Sequence, residues 1–165
     1  YIRNIPDFPK KGILFRDITT LIGSKEKFRE VIDILADRYA DKKIDAVLAV
    51  ESRGFIFGGA MAYKLGAGFV PVRKKGKLPH KTYKASYSLE YGEDTLEIHQ
   101  DAIKPGARVL LIDDLLATGG TLGAVIDLVR KLKGQIVEIA FIIELKDLKG
   151  RSRLKDFPVY SMIQY

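Results

Sequence analysis

Between Ser24 and Asp41 the apolar side chains fall at Phe28, Val31, Ile32, Leu35, Ala36 and Tyr39. This spacing sets them on one stripe of a 3.6-residue repeat, and Ser24 stands where a hydroxyl caps a first turn, so the segment predicts an amphipathic helix. Ala46 to Val50 is a short, continuously apolar run and predicts a buried strand. The polar turn Glu51-Ser52-Arg53-Gly54-Phe55 follows, then a helix over Phe57 to Leu65 that ends at Gly66. Gly68 to Val72 predicts a second strand. Tyr87 to Leu89 and Thr95 to Ile98 flank the polar turn Tyr91-Gly92-Glu93-Asp94 and predict a hairpin projecting from the main sheet. Farther on, Arg108 to Ile112 predicts a strand. Leu122, Val125, Ile126, Val129 and Leu132 form the stripe of a helix, and Ile136 to Ile143 is another buried run.

Buried strands alternating with helices argue for an α/β fold: an open, mostly parallel sheet with helices on both faces. With 165 residues, 47% of them hydrophobic, and no repeat or long linker, residues 1–165 read as a single domain. The less periodic ends, Ile5 to Leu21 and Leu145 to Tyr165, are expected to fold together as a small hood over the sheet.

Composition narrows the chemistry. There are no cysteines, which excludes disulfides, thiolate nucleophiles and Cys-ligated zinc, and the two histidines, His80 and His99, are too few for a His-rich metal site. Any metal must be a hard ion held by oxygen. No run approaches the length of a membrane span, so a cytoplasmic protein with no membrane partner is expected. The formal charge of +7 favours anionic partners. Arg73, Lys74, Lys75, Lys77, Lys81 and Lys84 crowd one Gly- and Pro-interrupted segment, which fits a loop handling a small polyanion, although such a run in isolation is more often a solvated surface loop. No helix-turn-helix and no interleaving of aromatic and basic residues offers a nucleic-acid reader.

The most informative run is Val109 to Thr121, VLLIDDLLATGGT. In an open parallel sheet, ligands bind beyond the carboxyl ends of the strands, where strand-to-helix loops present backbone amides. The loop is expected over Asp113 to Thr121. Ala117, Gly119 and Gly120 are small enough for amides to approach an anion, and Thr118 and Thr121 add hydroxyl donors. The adjacent acids Asp113 and Asp114 would repel a phosphate, yet they suit the vicinal hydroxyls of a sugar and attract Mg²⁺. Phosphate donors beside paired hydroxyl acceptors describe a site for a ribose 5-phosphate. A helix entry capped by Asp and Thr is the plainer alternative, but it leaves the two consecutive acids unexplained. No G-x-x-x-x-G-K-[ST] occurs, and Gly66-Ala67-Gly68 precedes a strand, so neither other phosphate motif applies.

This run resembles the phosphoribosyl pyrophosphate (PRPP) signature of the type I phosphoribosyltransferases. With FPKKGILFRDIT (8–19), ESRGFIFG (51–58), PVRKKGKLP (71–79), ASYSLEYG (85–92) and ELKDLKGRSRL (144–154), in this order and spacing, the whole chain resembles the family members that act on adenine. In those relatives a further helix precedes the point where this sequence begins. The resemblance implies the type I phosphoribosyltransferase fold and transfer of phosphoribosyl from PRPP to adenine, giving AMP and pyrophosphate in purine salvage. It implies Mg²⁺ carried by PRPP near Asp113 and Asp114, with no direct protein ligand assigned.

It also implies site roles. Asp113, Asp114, Ala117, Thr118, Gly119, Gly120 and Thr121 would bind PRPP or AMP. Glu51, Ser52, Arg53, Arg73, Lys74 and Lys77 would handle pyrophosphate, the Glu51 turn through backbone amides and often a cis peptide before the serine. Leu14, Phe15, Arg16 and Leu145 would line the adenine pocket. Glu90, Tyr91 and Arg53 would act at the reacting centre, the first two carried by a mobile lid over Lys74 to Ile98, whose Gly76, Pro79, Gly92 and many charges argue against buried core. A homodimer is expected, because family members pair and because ESRGF leads into the glycine-rich FGGAMAY segment. Two rivals stand beside this: a PRPP-binding regulatory protein, and a phosphoribosyltransferase for another nucleobase.

Overall fold

The structure, a computed structural model, describes residues 1–89 and 92–165; Glu90 and Tyr91, and the roles expected of them, lie outside the described residues. Where the sequence predicts a single domain, backbone contacts gather into two compact units, residues 1–38 and 39–165.

In the first unit, β1 (Arg3–Pro6) pairs antiparallel with β2 (Leu14–Asp17), Ile5 facing Phe15. A short helix α1 (Thr19–Ile22) follows, then α2 (Lys25–Tyr39). Ser24 caps α2 as its position predicts, its Oγ accepting the Lys27 amide at 3.3 Å. At the junction of β2 and α1 the Thr19 amide and the Arg3 guanidinium both donate to Asp17, and together they hold its carboxyl down to about 2.

The second unit is built on a seven-stranded sheet in the order β5-β6-β4-β3-β7-β8-β9. The parallel strands are β4 (Gly68–Lys74), β3 (Ala46–Val50), β7 (Arg108–Leu116), β8 (Gln135–Glu144) and β9 (Val159–Gln164). The hairpin of β5 (Thr82–Leu89) and β6 (Gly92–His99) joins antiparallel at the β4 edge. The buried runs alternate their side chains between the two faces. Leu48, Val72, Leu96 and Leu111 share one core with Leu122, Val125 and Val129 of α4 (Gly120–Lys131). On the other face lies α3 (Gly54–Leu65), so close that a methyl on Gly58 would stand 2.7 Å from Ala49 Cβ. Helices on both faces of a mostly parallel sheet are therefore the fold, as the strand-helix alternation predicts. Among the described residues no helix is long and apolar enough to cross a membrane.

Several boundaries differ from the sequence reading, for physical reasons. The helix placed at Phe57 starts at Gly54, because the ESRGF turn winds directly into it; it ends as predicted at Gly66, with φ 62°. The strand read as Arg108 to Ile112 continues to Leu116, so Asp113 and Asp114 are strand residues and the loop shrinks to Ala117–Gly119. Gly92, Glu93 and Asp94, expected in a turn, pair with Leu89, Ser88 and Tyr87, since a ladder tolerates polar residues where its face meets solvent. The expected lid is too wide: Lys74 closes β4, and Leu96 and Ile98 are fully buried core residues. At the chain's end, Val159–Gln164 does not leave for a hood but adds a parallel strand beside β8.

Candidate active site

At the carboxyl ends of β3 and β7 a cavity of about 270 Å³ is lined by Glu51, Ser52, Arg53, Lys74, Asp113, Asp114, Ala117 and Thr121, all singled out from the sequence. The sheet explains the convergence. β3 and β7 are parallel neighbours, with Ala49 beside Ile112, so the turn leaving one strand emerges next to the acids closing the other.

The acids are tightly held. Asp113 Oδ1 accepts the Asp114 amide at 2.9 Å. A Cβ on Gly54 would lie 2.9 Å from the same oxygen, so the carboxyl tucks beneath the first turn of α3. Burial, and then the neighbouring Asp114 charge, push Asp113 well above the usual carboxylate range. Burial also raises Asp114, opposed by Arg53, whose Nε lies 2.9 Å from Asp114 Oδ2. Among the described residues no three acidic or His side chains form a protein-only metal cage. The carboxyl oxygens of this pair suit a hard divalent ion that brings most of its ligands on a polyphosphate.

Beyond Leu116 the chain makes the phosphate-type loop. Gly119 adopts φ 81°, a left-handed conformation that favours glycine, and serves as the residue before α4. Asp113, Ala117, Thr118, Gly119, Gly120 and Thr121 line a small recess of about 70 Å³ at the amino end of that helix, where amides and the helix dipole favour an anion.

Glu51 lines the cavity with its turn, and its carboxylate has protein partners of its own. The Glu51–Ser52 peptide is cis. The Glu51 carboxyl accepts the Lys74 amide at 2.8 Å and lies against Arg73 Nε at 3.3 Å and Lys77 Nζ at 2.5 Å. Burial alone would raise it, but Lys77, the Lys74 amide and Arg73 outweigh that and hold it below its usual value. The carboxylate so engaged fixes the basic segment beside the turn. Lys74 Nζ reaches Asp94 at 3.1 Å, which raises the lysine and lowers the acid. The basic segment is thus pinned at its root.

Tyr87, Leu96 and Leu115 also line the cavity and were missed in the sequence. Tyr87 donates to Asp94 at 3.3 Å, and burial raises its phenol. The signal was present: Tyr83, Ala85 and Tyr87 alternate on one face of a strand and pack against the core. Leu145 is not among the lining residues; its amide donates to the Leu116 carbonyl at 2.9 Å and so braces the end of β7. In the first unit, Leu14 is exposed on β2, Phe15 packs edge-on against Phe8 at 5.1 Å, and Arg16 donates to Asn4.

Residues 20–164 match the phosphoribosyl transferase domain family. The adenine phosphoribosyltransferase of Chloroflexus aurantiacus is 61% identical over 99% of this chain and 95% of its own length. The chain belongs to the adenine phosphoribosyltransferase family. The crystal structure of the family member from Thermoanaerobacter pseudethanolicus superposes with a TM-score of 0.96 at 51% identity, covering 99% of this chain and 95% of that one. The Saccharomyces cerevisiae member, solved with an imino-altritol bisphosphate and adenine, gives 0.93 at 43% identity over 98% and 93%. The family is one of transferases, and the described residues of the site offer amides, hydroxyls, carboxylates and cations that can bind and orient reactants.

Proposed function

We propose that this chain transfers the 5-phosphoribosyl group of PRPP to adenine, giving AMP and pyrophosphate, a reaction of purine salvage. The observation that carries the proposal is the meeting, in one cavity, of the Asp113–Asp114 pair, the Ala117–Thr121 loop and the Glu51–Arg53 turn. The division of labour follows from their chemistry. Loop amides and the hydroxyls of Thr118 and Thr121 take the 5′-phosphate, the acid pair accepts the ribose hydroxyls, and the Ser52–Arg53 turn with Lys74 faces the pyrophosphate. Arg73 and Lys77 complete the positive field around the departing group.

As the C1′–O bond to pyrophosphate breaks, its electron pair leaves with the pyrophosphate oxygen. The C1′–N bond to adenine forms from the lone pair of a ring nitrogen, and the proton displaced from the base passes to a general base. Positive charge gathers on the ribose meanwhile, so the protein's tasks are alignment, stabilisation of the polyanion and exclusion of water. Mg²⁺, when bound with PRPP beside Asp113 and Asp114, supplies charge neutralisation on the polyphosphate.

By resemblance, Leu14, Phe15 and Arg16 supply the adenine wall, with Leu145 as a further packing contact. Glu90 exchanges the adenine proton or orients the base, and Tyr91 covers the ribose. The distal part of the β5–β6 hairpin acts as the lid, rooted at Leu96 and Ile98. The protein works in the cytoplasm as a homodimer. The surface that supports pairing is the outer side of α3, where Ile56 and Tyr63, two turns apart, are exposed.

The deciding experiment is PRPP- and Mg²⁺-dependent nucleotide formation with adenine, hypoxanthine, guanine, xanthine, uracil and orotate. Adenine is the expected substrate. Equal or better turnover of hypoxanthine overturns the base assignment, and PRPP binding without turnover of any base leaves the regulatory alternative.

A further inference from the structure

The loop that receives the ribose phosphate rests on a floor. The single helical turn Gly150–Arg153 runs directly beneath it. A Cβ on Gly119 would lie 2.7 Å from the Gly150 carbonyl oxygen and 3.5 Å from Arg153 Cβ. In the other direction, a Cβ on Gly150 would press into the Ala117 carbonyl oxygen and stand 2.7 Å from Leu116 Cδ1. Backbone therefore lies on backbone, with the Leu116 and Arg153 side chains beside the contact. The two glycines are glycines for different reasons: Gly119 needs its left-handed φ of 81°, whereas Gly150 is outside that region and is required only by space.

The floor is fastened from below. Arg151 donates from Nε to both Glu144 carboxylate oxygens at 2.7 and 2.9 Å, and from a terminal nitrogen to the second of them at 2.7 Å. Its other nitrogen donates to the Val159 carbonyl at 2.9 Å. Glu144 closes β8 and Val159 opens β9, so the guanidinium ties the turn to two strands. Leu154, fully buried, anchors its far end.

We infer that Gly150, held in place by the Arg151–Glu144 clamp, is a positioning residue for the phosphate end of the substrate. It sets the height of Ala117–Gly119 so that their amides converge on a single phosphate. The inference rests on the phosphoribosyl reading of that loop. Its consequence is local: the loop should lose its phosphate while the pyrophosphate side, at the end of β3, keeps its own ligand.

Ribose 5-phosphate and pyrophosphate probe the two sides separately. Each is titrated, with Mg²⁺, into the wild-type chain, Gly150→Ala and Arg151→Lys by calorimetry. The expected result for Gly150→Ala is a loss of about tenfold or more in ribose 5-phosphate affinity, against a change within about twofold for pyrophosphate. Steady-state kinetics should show a raised KM for PRPP, with kcat and the KM for adenine within about threefold of wild type. Arg151→Lys, which keeps the charge but loses the forked grip, should give the same pattern on a smaller scale, and it decides the matter if Gly150→Ala does not fold. Unchanged ribose 5-phosphate affinity in the folded variants, or an equal loss of both ligands, overturns the inference. Failure of the wild-type chain to bind ribose 5-phosphate while binding pyrophosphate would overturn the phosphoribosyl reading itself, and the inference with it.

Discussion

Arg53 Nε lies 2.9 Å from Asp114 Oδ2, so the cation of the turn after β3 is paired with an acid near the end of β7. On the proposed roles, binding exchanges partners: the guanidinium turns to a departing polyanion as the carboxylate turns to sugar hydroxyls. Replacing either Asp113 or Asp114 by Ala should weaken PRPP use by about 1–3 kcal/mol through lost hydrogen bonds, with Asn the gentler change. Wild-type kcat/KM for PRPP in both Ala variants would remove the pair from the ribose site.

On the proposed roles, the same acids should make ligand binding release protons. Burial raises both carboxyls in the free protein. A raised carboxylate pKa means that ionising the pair costs stability as pH rises from the ordinary aspartate value, about 3.9, through the folded value. A bound ligand with its hydroxyls and Mg²⁺ favours the ionised form and pulls those pKa values back down. Calorimetry of PRPP binding in buffers of different ionisation enthalpy should therefore register net proton release on the acid side of neutrality. Net uptake there would contradict the sign argued from burial.

Glu144 behaves in the opposite sense. Arg151 holds it below the usual glutamate range, so the pair stabilises the fold above about pH 4.3, and that contribution fades as pH falls through the lowered value. Arg151→Ala strands a buried carboxylate and should cost about 3 kcal/mol, read from the shift in denaturant midpoint at neutral pH. The deficit should shrink on acidification, since a protonated Glu144 no longer needs the cation.

For the lid, Glu90→Leu should lower kcat at least about tenfold, or about 1.4 kcal/mol of barrier, with a smaller effect on PRPP affinity. Hydrogen exchange along the outer part of the β5–β6 hairpin should slow when AMP is bound. Unchanged kcat together with ligand-independent exchange would leave the hairpin as an ordinary sheet extension.

Pairing through α3 is tested at Tyr63, which is 87% exposed on a helix whose one charged residue is Lys64. Tyr63→Glu should shift sedimentation towards monomer at micromolar concentration while Tm stays close to wild type, because the side chain contributes little to its own chain's core. A wild-type chain that sediments as an active monomer would dispose of the dimer.

Periodicity made α2, the buried strands and α4 legible, because core-facing positions leave a repeat in the chain. It could not place the end of β7: Asp113 and Asp114 look like loop residues, yet the strand continues through them because β7 goes on pairing with β8, Asp113 beside Phe141 and Leu115 beside Ile143. Glu51 shows the same limit. Its motif implies a ligand-binding turn but says nothing of the carboxylate's partners, Arg73, Lys74 and Lys77, which depend on the β3–β4 pairing that brings them alongside. Tyr87 was visible as strand alternation, but only the sheet order reveals that this strand end looks into the cavity.

The close approach of Gly54 to Asp113 has a consequence for descent. Residue 54 is not free to vary alone, since a side chain there would press on the carboxylate of Asp113. A lineage that enlarged residue 54 could persist only by shortening or moving residue 113 as well, so the two should be inherited as a matched pair. The turn after β3 and the acid near the end of β7 are, in that sense, a single heritable character written at two distant places in the chain.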